Sequence, residues 1–257
     1  SVPHRRLKHG SNVGKFLNEN YEITYVDGKL TVTSRPSSGG GGSSSSGGGG
    51  GSSSSDKPSA STGKTETTTN PDGSVTKTET KSDGTVTEIT TNKDGSTTKT
   101  ETKPDGSSKT EVKDASGSTG TVKTDKNGQA TAETTLSSKA VEDAKKNGEA
   151  VKAPVEVEAS RDSNTAPTVK VELPKNAGET EVEIPVSNVK PGTVAVLVHP
   201  DGTEEIVKNS LPTEDGIQLT VNGDATVKIV DNSKDFIDTR NHWAEDEIDF
   251  VSARGLV

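Results

Sequence analysis

The chain has 257 residues, a formal net charge of −9 and only 25% hydrophobic residues. So few apolar side chains cannot build one core across the whole length, and the composition predicts several small units joined by solvated chain. The absence of cysteine excludes disulfides and thiolate metal sites, and it fits a modular extracellular protein. The net charge disfavours a nucleic-acid partner, and no apolar run reaches the roughly 18 residues of a membrane span.

Residues 1–35 are predicted to be the incomplete end of a β-rich module. Apolar side chains alternate with polar ones on both sides of an Asp-Gly turn; they are Tyr21, Ile23, Tyr25, Leu30 and Val32. The stretch NYEITYVDGKLTVT, residues 20–33, resembles the final strands of the MBG repeat, which recurs in tandem on bacterial surface proteins and adhesins. The resemblance implies that the rest of a sandwich lies upstream.

Residues 36–58 are nearly all Gly and Ser in their first part, and they are predicted to form a flexible linker. None of these serines has a base or an oxyanion-hole motif nearby, so nucleophilic catalysis is not supported. We expect a tether.

Residues 59–135 contain an internal repeat of eleven residues. From Asn70 the units read NPDGSVTKTET, KSDGTVTEITT, NKDGSTTKTET, KPDGSSKTEVK, DASGSTGTVKT and DKNGQATAETT. Asp-Gly or Asn-Gly supplies a turn in most units, and the Thr-rich stretches between turns favour strands. Large apolar residues are scarce, so the repeat predicts a single-layer antiparallel meander stabilised by Thr–Thr and Lys–Glu cross-strand pairs. Partial disorder is the alternative. The units lack the further acidic ligands of a calcium loop, so no metal is predicted.

Residues 136–149 change to a helical period. Ser137 or Ser138 is predicted to cap a short connector helix that Asn147-Gly148 ends. Its apolar face is predicted to consist of Ala140, Val141 and Ala144.

Residues 150–232 are predicted to form a small β-sandwich, because short alternating segments are separated by turn residues. The candidate strands are Val155–Ala159, Thr168–Leu173, Thr180–Val186, Thr193–His199, Glu204–Lys208, Ile217–Val221 and Thr226–Val230. A structural role is predicted for His199, which is the single histidine of this segment. Leu211–Glu214 does not qualify as a sortase signal, because it lacks the glycine and a hydrophobic tail. Glycan or protein binding by the sandwich itself is an open alternative, but the scarcity of aromatic residues disfavours a sugar platform.

Residues 233–257 are predicted to contain an amphipathic helix. Asn241 suits its N-cap, three acids follow in the first turn, Arg254 supplies a cation at the far end, and Gly255 fits the left-handed position after it. Ala244, Ile248 and Val251 share one face, with Trp243 beside them and Phe250 toward the other side. Asp231, Ser233 and Asp235 have calcium-loop spacing, but Phe236 stands where that loop needs glycine, so a linker is predicted.

This stretch also resembles the opening of an S-layer homology (SLH) module, the unit that holds many bacterial surface proteins on the cell wall. The matching residues are Phe236, Asp238, His242-Trp243-Ala244, Ile248 and Arg254-Gly255-Leu256. The resemblance implies short helices that bind a negatively charged, often pyruvylated wall polysaccharide in grooves between modules. It makes Asp238 and Trp243 candidate polysaccharide contacts, although a core position for Trp243 is the stronger expectation. The family's Thr-Arg-Ala-Glu motif does not occur before Val257, so the polysaccharide site is expected to be incomplete.

The sequence as a whole predicts a mainly β, multi-modular and non-enzymatic region without cofactor or metal. We expect it to be extracellular, at a Gram-positive cell wall or S-layer, as a spacer and anchor bound to secondary cell wall polysaccharide. The alternative is the non-catalytic tail of a secreted, SLH-anchored glycoside hydrolase, which paired carboxylates in an upstream domain would indicate.

Overall fold

The computed structural model describes residues 63–240 and 242–256, and it has the predicted mainly β fold. The MBG-like segment 1–35 and the linker 36–58 lie outside the described residues. The repeat forms a seven-stranded antiparallel meander, in which each strand pairs with the next. Its strands are β1 (Lys64–Thr69), β2 (Val75–Thr80), β3 (Val86–Thr91), β4 (Thr97–Thr102), β5 (Ser108–Lys113), β6 (Thr119–Thr124) and β7 (Ala130–Thr135).

The six hairpin loops of the meander share one construction. In the first, the Asn70 N–H donates to the Ser74 carbonyl and the Gly73 N–H donates to the Asn70 carbonyl, both at 2.8 Å. Gly73 has φ +82°, and the other five repeat glycines lie between +84° and +89°. The Asp72 carboxylate accepts from the Ser74 N–H and hydroxyl, at 2.8 and 2.7 Å. This is a type I turn closed by a left-handed glycine, which confirms the predicted role of the Asp-Gly pairs.

The two faces of the meander carry different side chains. Residues that are paired across the strands share a face, and one such row is Thr68, Thr76, Thr90 and Thr98. The Thr76 and Thr90 hydroxyls lie 2.9 Å apart, so the predicted Thr–Thr pairs are present. The opposite face carries most of the charge, and there the Lys99 ammonium lies 3.9 Å from the Glu111 carboxylate across the strands.

The connector helix α1 (Ser138–Asn147) follows the meander as predicted. The Ser137 hydroxyl accepts from the Ala140 N–H at 3.0 Å, and Gly148 takes the left-handed conformation at the C-terminal end. The same hydroxyl donates to the Ser116 carbonyl at 2.9 Å, so the N-cap residue also holds the helix against a loop of the repeat.

The sandwich is built from eight strands in two sheets. They are β8 (Val151–Lys152), β9 (Thr168–Glu172), β10 (Glu179–Pro185), β11 (Thr193–Val198), β12 (Glu204–Ile206), β13 (Leu211–Pro212), β14 (Gly216–Asn222) and β15 (Ala225–Asp231). One sheet has the order β13-β14-β10-β8, and β9, β15, β11 and β12 belong to the other. Alternate side chains of the long strands point between the sheets, where Val169, Val182, Ile184, Ile217 and Ile229 are fully buried.

The meander and the sandwich share one sheet, which the sequence did not indicate. Strand β7 pairs with β9 in parallel, and the resulting sheet has eleven strands in the order β1 to β7, β9, β15, β11, β12. The chain between β7 and β9 contains α1 and β8, and a crossover of this kind is what a parallel pair requires. The last repeat strand is therefore also a strand of the sandwich, and Ala132 belongs to the common core.

The predicted strand Val155–Ala159 is wrong. Residues 151–160 alternate buried and less buried side chains, as a strand would. However, Pro154 lacks an N–H, and the segment passes from one sheet to the other. It begins against β10, where the Ala153 N–H donates to the Glu183 carbonyl at 2.8 Å, and ends at Ser160, whose carbonyl accepts from the Asp231 N–H at 2.9 Å. Its hydrogen bonds are thus divided between two sheets, leaving only isolated bridges.

Gly120 departs from the repeat at the place where this crossing segment passes over the meander. The equivalent position holds Thr in four of the six units, including Thr98 and Thr131. A Cβ on Gly120 would lie 2.1 Å from the Pro154 carbonyl oxygen, so only glycine lets the two backbones approach this closely. The substitution fits the fifth unit to its contact with the sandwich.

Candidate anchoring site at the C-terminal helix

The C-terminal helix α2 spans Glu245–Ala253. The predicted acids lie in its first turn, but its N-cap is Ala244, which makes no side-chain cap bond. The predicted N-cap Asn241 lies outside the described residues. At the other end Gly255 has φ +63°, and the Leu256 N–H donates to the Val251 carbonyl at 3.0 Å. This left-handed ending confirms the predicted role of Gly255.

The helix packs on the sandwich through its last turn. Ala253 is fully buried with Ala166, Val194, Val196 and Val230, whereas Ile248 and Val251 are only partly buried. The expected apolar face is therefore not the main contact. Polar bonds hold the segment before the helix: the Lys234 N–H donates to Asp249 Oδ1 at 2.7 Å, and Asn232 Nδ2 donates to the Ala253 carbonyl at 2.5 Å.

Arg254 is the central residue of this contact, and its side chain is completely buried. Nε donates to the Ser210 carbonyl at 2.9 Å and Nη2 to the Thr193 carbonyl at 2.9 Å. Nη1 donates to the carbonyls of Pro191 at 3.2 Å and Phe250 at 3.0 Å, and the guanidinium lies 3.8 Å from the Phe250 ring centroid. Arg254 thus joins the helix to the sandwich backbone, with cation–π packing against Phe250.

Backbone carbonyls alone supply the hydrogen-bond acceptors of the Arg254 guanidinium among the described residues. Burial lowers the pKa of Arg254 to about 10, and the nearby Asp249 acts in the opposite direction. The group stays charged at neutral pH, because its pKa remains far above 7. The sequence predicted only a cation near the helix C-terminus, and it carried no signal that this side chain would be buried.

Gly192 makes room for the segment that leads into the helix. A Cβ at this position would lie 2.4 Å from the Ser233 Oγ and 2.6 Å from Asp249 Oδ2. The Gly192 carbonyl accepts from the Asn232 N–H at 3.0 Å. A side chain here would push the helix away from the sandwich, so the close contact needs glycine.

The carboxylates that have calcium-loop spacing are each paired with cations. Asp231 Oδ2 lies 2.8 Å from Lys190 Nζ and 3.4 Å from Arg161 Nε. Burial raises the pKa of Asp231, but the hydrogen bonds from Lys190 and Ser233 outweigh it and lower that pKa to about 2. Both oxygens of Asp235 accept from Arg240, at 3.1 and 2.7 Å. The described residues contain no group of three or more acidic or histidine ligands that could hold a metal ion.

Asp238 and Trp243, the two residues suggested by the SLH resemblance, lie in the run of turns before α2. The turns are closed by bonds from the Thr239 N–H to the Phe236 carbonyl and from the His242 N–H to the Thr239 carbonyl. Asp238 is exposed, and Trp243 is 86% exposed. The expected core position of Trp243 is therefore wrong: the docking contact is made by the far end of the helix, and the centroid of the Trp243 ring lies 5.4 Å from that of the His242 ring.

His199 lies at the end of β11, outside this site. Its N–H donates to the Thr203 carbonyl at 2.9 Å, and its Nε2 lies 3.4 Å from the Glu205 carboxylate. The ring is partly exposed beside a hairpin turn.

A comparison with protein-family models, curated proteins and solved structures finds no match to this chain. Neither described helix has the length and the apolar character needed to cross a membrane.

Proposed function

We propose that this chain is the wall-proximal spacer and anchoring region of a bacterial surface protein. In this proposal, SLH modules attach the protein non-covalently to secondary cell wall polysaccharide, and residues 233–257 begin the first module. Asp238 and Trp243 contribute to the polysaccharide contact.

The observation that carries the proposal is the exposed indole of Trp243 on a segment that is fixed to the sandwich. A large aromatic side chain that is 86% exposed loses the benefit of burial, and exposed apolar groups of this kind often mark binding surfaces. Ile237, in the same run of turns, is 84% exposed, so the surface has a second apolar side chain. An indole face can pack against the apolar face of a sugar ring. The Asp238 carboxylate can accept hydrogen bonds that sugar hydroxyls donate.

The spacer part of the proposal is supported by the continuous sheet. Ten steps separate the first and last of its eleven strands, so at about 4.8 Å a step the sheet extends roughly 48 Å across its strands. Arg254 fastens the helix to the sandwich part of this same sheet. The repeat therefore separates the part of the chain that precedes it from the proposed anchor by a fixed number of strands.

The test is co-sedimentation with purified Gram-positive cell walls, before and after the wall polysaccharide is stripped. This chain is compared with one extended through its native downstream sequence. We expect the extended chain to sediment only with intact walls. Trp243→Ala and Asp238→Ala should weaken its binding, and Val75→Ala is the control for loss of an exposed apolar side chain in the repeat, outside the proposed contact. Equal sedimentation with stripped walls, or none with either preparation, refutes the proposal.

A further inference from the structure

The outer edge of β1 differs from the other sheet edges among the described strands. β12 has three residues, two of them glutamates, and β13 has two, one of them Pro212. β8 also has two residues and is followed by Pro154. Short strands, charge and proline are the usual protection against edge-to-edge pairing. β1 has six exposed residues, Lys64–Thr69, and it contains no proline and no bulge.

The hydrogen-bond pattern shows which backbone groups β1 leaves open. The Asn70 N–H bonds to the Ser74 carbonyl in the first loop, so Asn70 points toward β2. In an antiparallel pair this direction alternates along the strand, and Thr68, Glu66 and Lys64 therefore also point toward β2. The N–H and C=O groups of Thr65, Thr67 and Thr69 point away from it. No bond from these outward groups to another described residue is present in the structure.

We propose that this edge pairs with β1 of a second copy of the chain, antiparallel, with Thr67 on the two-fold axis. Outward-pointing residues must face one another, so Thr67 lies opposite Thr67 of the second copy and Thr65 opposite Thr69. Each of the three pairs exchanges two backbone bonds. The pairing is isologous, and it continues a sheet whose strands already pair as Thr-rich neighbours.

Charge and the length of the overlap together select this register among the possible ones. With Thr67 on the axis, Glu66 faces Thr68 of the second copy and Lys64 faces Asn70, so no like charges are opposite. A shift of two residues places Glu66 opposite Glu66, which is destabilising. A further shift of two in the same direction pairs Lys64 with Glu66 but shortens the overlap. The register with Thr67 on the axis is the one that combines full length with charge compatibility, and it does not depend on wall binding.

Disulfide trapping tests the register, and the chain offers a clean background because it has no cysteine. Thr67→Cys places two thiols on strand positions whose Cα atoms are about 5.5 Å apart, within the range of a disulfide. Thr65→Cys is the matched control, because two copies of position 65 would be separated by roughly 14 Å along the strand. We expect mild oxidation to give covalent dimer from Thr67→Cys and at least tenfold less from Thr65→Cys. Equal yields from the two variants refute the proposal.

Sedimentation velocity over a concentration series tests the association without a cross-link. We expect the weight-average mass of the unmodified chain to rise from 26.6 kDa toward twice that value. Thr67→Pro removes an outward N–H, which an edge strand tolerates, and it should weaken dimerisation at least tenfold while the thermal unfolding curve stays that of a folded chain. A chain that remains monomeric throughout, or a Thr67→Pro variant that dimerises as well as the parent, overturns the proposal.

Discussion

Replacing Arg254 by alanine should release the C-terminal helix while leaving the sandwich folded. The guanidinium makes three bonds to sandwich carbonyls, those of Ser210, Pro191 and Thr193. Hydrogen bonds to charged groups contribute about 1.5–3 kcal/mol each, or about 5–9 kcal/mol together. Burial of the charge opposes this. Burial lowers the pKa of Arg254 to about 10, and this fall corresponds to about 3 kcal/mol. The expected net loss of docking free energy is about 2–6 kcal/mol.

Amide hydrogen exchange of α2, measured with peptide resolution, is the direct assay, because it reports local opening separately from global unfolding. Protection of α2 should fall by about 30-fold or more in Arg254→Ala, whereas protection of β10 and β14 stays unchanged. Arg254→Lys should lose most of the protection as well, since one ammonium cannot reach carbonyls on several sides. Arg240→Ala is the matched control, because Arg240 is exposed and, among the described residues, its side chain bonds to Asp235 of its own segment. Unchanged exchange in α2, or equal loss across the sandwich, would show that the docking argument is wrong.

Four further results are expected. Gly120→Thr restores the commonest residue of the repeat but should destabilise the fold by about 1–3 kcal/mol in denaturant titrations, whereas Lys109→Thr at the same unit position should leave stability unchanged. Loop hydrogen bonds lower the pKa of carboxylates such as Asp94, so they stabilise the meander above pH 3.8 and this contribution is lost as the pH falls through the folded-state value; circular dichroism should show a smaller acid loss for Asp94→Asn. Trp243, the only tryptophan, should have the emission of a water-exposed indole and be quenched fully by iodide. Exchange protection in the meander of the monomeric chain, measured at a concentration too low for dimerisation, should rise from β1 to β7.

The parts of the fold that the sequence predicted well are those that neighbouring residues determine. The eleven-residue spacing of glycine placed every turn of the meander, since a left-handed residue closes each loop. Ser137 and Gly148 likewise marked both ends of α1. The sequence did not predict the pairing of β7 with β9, because parallel strands separated by a crossover produce no local sequence pattern. Gly120 was the available sequence signal for a contact with another part of the chain. It breaks the repeat where Pro154 and Val155 occupy the space of a side chain.

At the candidate site the sequence indicated which residues would matter, but it did not predict the environment of each side chain. Arg254 and Trp243 follow ordinary expectations when taken alone, a cation near a helix end and an aromatic in a small core. The structure reverses these expectations: four backbone carbonyls surround the buried Arg254 guanidinium, whereas the Trp243 indole is exposed. Such an inversion depends on how α2 docks, and the helical period of the segment does not contain that information.

The stability of the meander must come from one end. Its outer strands bury few large apolar side chains, and cross-strand Thr pairs contribute only about 0.2–1 kcal/mol each. β7 is different, because it pairs with β9 and places Ala132 and Thr134 in the buried layer. Each strand then has its inner neighbour as a fixed template, so ordering it costs less than ordering an isolated hairpin. Tension applied at β1 therefore opens the strands in sequence, and the sandwich with its docked helix is the last part to yield.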